Sequence, residues 1–146
     1  MTLKETRDNL LELPGDYNIV HCISAERNFD NGLRSDIDKK YNLKETMMGV
    51  VPDFVALWDS ERMDGSCIMC NGVFNLVTRR TEGDAVTYRT FENALVVMRK
   101  ICGDNPKYHK LAIACESLKE LGDVDKAIMA IVSVFFHNDI EILLVR

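Results

Sequence analysis

The chain has 146 residues, 47% of them hydrophobic and 28% charged, with a formal charge of −5. That length suits one globular domain, expected over residues 1–146, which can bury about 68–70% of its unfolded surface without disulfide or metal staples. The acidic balance excludes a broad nucleic-acid surface, which needs many Lys and Arg contacts to phosphate, and no apolar run approaches the roughly 20 residues that span a bilayer.

The N-terminal stretch Met1 to Asp8 is charged and has no apolar h-region. No secretory or transit signal is read, and a cytoplasmic location is expected. The five cysteines form an odd set, and Cys22 and Cys115 sit in apolar strand-like runs, as reduced core thiols do. Cys67-Ile-Met-Cys70 has the spacing of a zinc or redox pair, yet no second Cys or His pair follows at ligand spacing. On a strand the two cysteines would face opposite sides of a sheet. No metal site and no cofactor are expected.

Thr2 to Arg7 alternates loosely as a first strand can, and Asp8-Asn9 opens a turn before Leu10 to Leu13. After the Pro14-Gly15-Asp16 turn, the apolar run Ile19 to Ile23 reads as a strand ending at Ser24. It leads into a polar loop whose one glycine is Gly32. Leu33, Ile37 and Tyr41 fall at helical spacing, while Arg34, Asp36, Asp38, Lys39 and Lys40 read as a solvated face. Between Glu45 and Arg62 the methionines and Trp58 read as packing residues, and Pro52 suits the first turn of a helix ending near Ser60.

Ser66 to Cys70 and Gly72 to Thr78 read as two strands joined by a tight Asn71-Gly72 turn. Arg79 to Ala85 is a polar loop. Thr87 is the expected N-cap of a helix over Tyr88 to Ile101, which Gly103 ends. Leu111 to Cys115 reads as a buried strand, Val124 to Phe136 as a second long helix and Ile140 to Val145 as a last strand. This alternation implies a mixed, largely parallel sheet with helices on both faces. The loops after Ile23, Thr78 and Cys115 then share one pocket, provided their strands are parallel neighbours.

The residues of that pocket suggest ligand contacts but declare no chemistry. The loop Ser24 to Leu33 is not a G-x-G-x-x-G or Walker cradle, although Asn31-Gly32 can expose backbone N–H groups. Arg79 and Arg80 either hold a phosphate or carboxylate bidentately or lie in solvent. His21 and Cys22 point to opposite faces, so they make no nucleophile–base pair, and His21 reads as a core or sheet-face residue. Glu116, Glu120, Asp123 and Asp125 put carboxylates near a strand end, where a helix start attracts acidic residues for dipole reasons alone.

Three segments carry a family likeness. His21-Cys22-Ile23-Ser24 is followed by Phe29-Asp30-Asn31-Gly32-Leu33-Arg34; Phe74-Asn75-Leu76-Val77-Thr78-Arg79-Arg80 is followed by Thr87-Tyr88; and Val134-Phe135 precedes Asp139-Ile140-Glu141-Ile142. Together they resemble the macrodomains, specifically the branch of small ADP-ribose-binding proteins and terminal ADP-ribose protein glycohydrolases. The likeness covers nearly the whole chain. It implies a three-layer α/β/α fold around a central mixed sheet, with a cleft lined by Asn9, Ser24, Asn31, Gly32, Leu33, Arg79, Arg80, Cys115 and Glu116.

It also implies ADP-ribose or a related nucleotide as ligand, and through it ADP-ribosylated protein as a partner. The ligand loops depart from the family's pattern. Where the family has Met-Gly-Ala-Gly-Ile-Ala, only Gly32 remains and Asp30 adds a charge. Where it has Gly-Cys-Gly-Leu-Asp, this chain has Ala114-Cys115-Glu116-Ser117-Leu118, a carboxylate in place of a glycine. The adenine-contacting aspartate falls at Asn9, which can still hydrogen-bond an exocyclic amine. The lysine nucleophile of the branch falls in Thr78-Arg79-Arg80, and an arginine that stays protonated cannot replace it.

Weakened nucleotide binding, or a changed ligand, is therefore the first expectation. One alternative is ADP-ribosyl hydrolysis or O-acetyl-ADP-ribose deacetylation, with Glu116, Glu120 or Asp123 as the candidate carboxylate. Another is a module that binds a non-nucleotide partner on a degenerate macrodomain scaffold.

Overall fold

The computed structural model describes residues 1–30 and 32–146. Its strands are β1 (Thr2–Thr6), β2 (Asn18–Ser24), β3 (Ser66–Cys70), β4 (Val73–Arg79), β5 (Lys110–Ala114) and β6 (Glu141–Val145). They form one six-stranded sheet in the order β1-β6-β5-β2-β4-β3. Every neighbouring pair is parallel except β3 against β4, which is antiparallel, so the sheet is mixed as expected.

Strand alternation sends side chains to two cores. Val20, Cys22, Phe74, Leu76, Ile113 and Ile142 pack on one side against Phe91, Leu95 and Met98 of α4 (Tyr88–Cys102) and Ile131 and Phe135 of α5 (Val124–Phe135). Ile19, Ile23, Val73, Val77 and Leu143 face the other way. They meet Ile37 of α1 (Gly32–Tyr41), Met47 of α2 (Leu43–Val50) and Trp58 of α3 (Phe54–Ser60). This is the three-layer α/β/α arrangement. Phe74, Phe91 and Phe135 are wholly buried, each contributing roughly 1.5–3 kcal/mol of transfer free energy.

Local chemistry sets the element ends. Asn71 and Gly72 both have positive φ, 49° and 81°, as a two-residue turn between antiparallel strands requires. Thr87 caps α4 by accepting from Thr90 N at 3.1 Å, and Thr90 Oγ1 accepts from Thr87 N in return. Cys67 and Cys70 enter opposite cores, and the cysteines are free thiols.

The segment around Pro52 departs from the expectation. Two helices, α2 and α3, occupy it, and Pro52 lies one residue before the cap instead of in the first turn. Asp53 is the N-cap, its Oδ1 accepting from Ala56 N at 3.0 Å. The carbonyls of Val51 and Pro52 are taken by the nearly buried Arg27 guanidinium at 2.6 and 3.0 Å. Among the described residues no helix is long and apolar enough to cross a membrane.

Candidate functional site

β2 lies between β4 and β5 and runs parallel to both, so the segments following these strands leave the same end of the sheet. A cleft of about 380 Å³ opens there. A second, of about 510 Å³, adjoins it, the two sharing Leu33 and Glu116. Together they make one groove. Asn9, Cys115 and Arg146 line one end, and Arg34, Arg79, Glu82 and Glu120 line the other.

The arginine end is tightly wired. Arg34 Nη1 donates to both oxygens of Glu82, at 3.0 and 3.2 Å, and Arg79 Nη2 donates to Glu82 Oε2 at 2.9 Å. Glu120 Oε1 accepts from Nη2 of Arg34 and, at 3.3 Å, from Nη2 of Arg79. A register irregularity after Ile23 sets Ser24 opposite Arg79, and the buried Ser24 hydroxyl donates to Glu82 Oε1 at 2.7 Å. Arg34 Nε donates to Cys22 O at 3.1 Å, which ties the start of α1 to β2.

Burial alone would raise the Glu82 pKa. The Ser24 hydrogen bond and the two guanidinium charges outweigh it and hold the carboxyl below its usual range. Cys22 lines the same cleft, where burial first of all, and then the Glu120 charge, push its thiol up to about 12 against the pull of Arg34 and Arg79. It is a thiol at neutral pH and no nucleophile. Asp30, Glu82, Glu116 and Glu120 oppose Arg34 and Arg79, which leaves the lining of this cleft with a formal charge of −2.

The expected site residues divide as follows. Gly32, Leu33, Arg79 and Glu116 line the arginine cleft, Glu120 joins them there, and Asn9 and Cys115 line the second cleft. Ser24 lies beneath the groove as a support for Glu82. Asn31 falls outside the described residues. Two other expected residues are not among the lining of either cleft. Arg80 turns to the surface and pairs with Asp59 at 2.7 and 2.9 Å, since neighbours at a strand end point to opposite sides. Asp123 is the N-cap of α5, its Oδ1 accepting from Lys126 N at 3.2 Å, which places it in the helix frame.

Arg34 corrects the reading of a solvated face on α1. It lies three residues before the buried Ile37, so it flanks the apolar stripe and can reach the cleft. That spacing was visible in the sequence. Glu82 was not, because nothing local marks which loop carboxylate turns inward.

In searches with the sequence, no family model and no curated protein matches. Solved structures do match in shape. The macrodomain of Mycobacterium tuberculosis DarG superposes with a TM-score of 0.69 at 12% identity, covering 99% of this chain and 97% of that one. The macrodomain of Thermus aquaticus DarG does so at 0.61 and 12%, covering 99% and 98%. The chain has the macrodomain fold. A third structure, Thermosipho africanus DarTG in complex with ADP-ribose, matches at a TM-score of 0.63 and 11% identity, over 99% of this chain and 41% of that one.

On this macrodomain scaffold the groove lies where open α/β sheets take ligands, outside the carboxyl ends of the strands. Gly32, with φ of 65°, opens α1 at the arginine cleft. An anionic group placed there meets the N-terminus of a ten-residue helix. Asn9 Oδ1 already accepts from Leu11 N at 2.9 Å and keeps a second lone pair for a ligand amine.

Proposed function

We propose that this macrodomain-fold chain binds ADP-ribose or a related nucleotide in the shared groove, with its adenine end beside Asn9 and its distal phosphate and ribose toward Arg34 and Arg79. The continuity of the two clefts through Leu33 and Glu116 carries the reading. It matches an elongated ligand with an apolar, hydrogen-bonding head and an anionic middle. The match in shape to a structure solved with ADP-ribose supports the same choice.

Binding is weak on this reading. Both arginines are already neutralised by Glu82 and Glu120. An uncompensated carboxylate such as Glu116, about 8 Å from a phosphate charge, would oppose it by on the order of 2 kcal/mol at an effective dielectric constant of about 20. Lysine-dependent hydrolysis is absent from the proposal, because the strand end Thr78-Arg79-Arg80 carries no lysine and an arginine side chain does not supply the free amine that attacks a ribose carbon.

Calorimetric titration with ADP-ribose tests the proposal. Heat that saturates in the high micromolar to millimolar range is expected, and no heat at millimolar ligand would refute it. Incubation with mono-ADP-ribosylated protein is expected to release nothing. Release that Glu116→Gln abolishes would replace the binding reading with water activation by a carboxylate.

A further inference from the structure

The carboxylates on Arg34 and Arg79 stand where the anionic part of a nucleotide would go, and they are not held equally. Glu82 is clamped through both oxygens: Oε1 takes the Ser24 hydroxyl and Arg34 Nη1, and Oε2 takes Arg34 Nη1 and Arg79 Nη2. Its own backbone N–H donates to Glu26 Oε1 at 2.6 Å, fixing the loop that carries it. Glu120 meets both guanidinium groups through Oε1. It is the more exposed of the two, at 34% of its side-chain surface against 29%. It also belongs to the short segment Cys115–Leu121, which closes on Gly122 at φ of 87°.

We infer that Glu120 is an internal stand-in for the ligand's anionic group and sets the phosphate affinity of the groove: a diphosphate-bearing ligand fills the arginine end by displacing Glu120 while Glu82 stays. The inference rests on the nucleotide reading of the groove. The exchange swaps one charge-assisted contact on each guanidinium for another, so the phosphate gains little over the resident carboxylate. Glu82 in turn keeps both guanidinium groups aimed into the cleft during the swap, which is why Arg34 and Arg79 need not reorganise. A ligand lacking the anion, such as adenosine, is indifferent to Glu120.

The test titrates pyrophosphate, ADP-ribose and adenosine into the unmodified chain, Glu120→Gln and Glu82→Gln, with far-UV circular dichroism and urea midpoints as folding controls. Glu120→Gln is expected to tighten pyrophosphate and ADP-ribose roughly tenfold, about 1.4 kcal/mol, with adenosine unchanged. Glu82→Gln is expected to tighten them less, since the relief of its charge is offset by loosening the two guanidinium groups it aims. In the unmodified chain, carbon-13 spectra of the glutamate carboxyls should show the Glu120 signal shifting on saturation with pyrophosphate and the Glu82 signal holding, a readout that needs no variant.

Equal tightening by the two variants would overturn the inference, because it would report net charge alone. No tightening by Glu120→Gln, or a static Glu120 signal, overturns it as well. If Glu120→Gln tightens pyrophosphate while neither ADP-ribose nor adenosine binds any form of the chain, the nucleotide reading falls and the role of Glu120 stands. If the unmodified chain binds ADP-ribose and Glu120→Gln changes nothing, the reverse holds.

Discussion

Protonating His21 should destabilise the fold, and the structure supplies the magnitude. His21 on β2 faces Asn75 on β4 in the strand register, and both are buried. Asn75 Nδ2 donates to the carbonyls of Ile68 and Val73 at 3.0 and 3.2 Å, so its Oδ1 is the atom facing His21 and accepts from Nε2–H. That fixes the neutral tautomer with a bare Nδ1, which has no hydrogen-bond partner. Burial above all lowers the pKa from 6.5 to about 4, the Asn75 bond working against it and the Arg34 charge with it.

The folded state thus resists a proton that the unfolded chain accepts. Stability is full above pH 6.5 and falls as the pH drops toward 4, by about 3 kcal/mol in total and by about 2 kcal/mol between pH 7 and pH 5. Carboxylates held low, Glu82 and Glu141 among them, lose their contribution mainly below pH 4.5, outside that window. Urea denaturation at pH 7, 6 and 5 measures the slope. His21→Gln, whose amide can still donate to Asn75, should flatten it. An unfolding free energy that is constant within about 0.5 kcal/mol from pH 7 to pH 5 refutes the assignment of a buried neutral imidazole.

Three further substitutions have outcomes that the packing and the cleft contacts set. A Cβ on Gly65, which has φ of 116°, would fall 2.3 Å from Thr90 O and 2.8 Å from Asn93 Cβ. Gly65→Ala should therefore cost about 3 kcal/mol in a urea titration, since it combines a left-handed backbone with a clash against α4. Arg79→Ala removes a cleft guanidinium and should weaken ADP-ribose about tenfold in calorimetry. Arg80→Ala, on the exposed Asp59 pair, should leave both the affinity and the urea midpoint where they were.

The elements were legible because they depend on near neighbours. The apolar run Ile19 to Ile23, the Asn71-Gly72 turn, the Thr87 cap and the spacing of Phe91, Leu95 and Met98 each state a local preference that the fold agrees with. Pro52 falls one residue before the Asp53 cap, and the carbonyls of Val51 and Pro52 are taken by Arg27, a partner 24 and 25 positions away that no local pattern states. The resemblance to macrodomains drew on these scaffold residues, and the fold bears it out.

By itself the sequence determined the strands, the helices other than α2, the mixed sheet and the loops that border the groove, since hydrophobic period and turn chemistry act over a few residues. Only the tertiary structure decided what fills that groove. Arg34 and Glu120 are 86 positions apart, and Arg34 and Glu82 are 48 apart. Charge has no period along the chain, so neither pairing is written in any local pattern. Arg79 and Arg80 look alike in sequence, yet one closes the cleft and the other faces Asp59 because a strand end turns adjacent side chains to opposite sides.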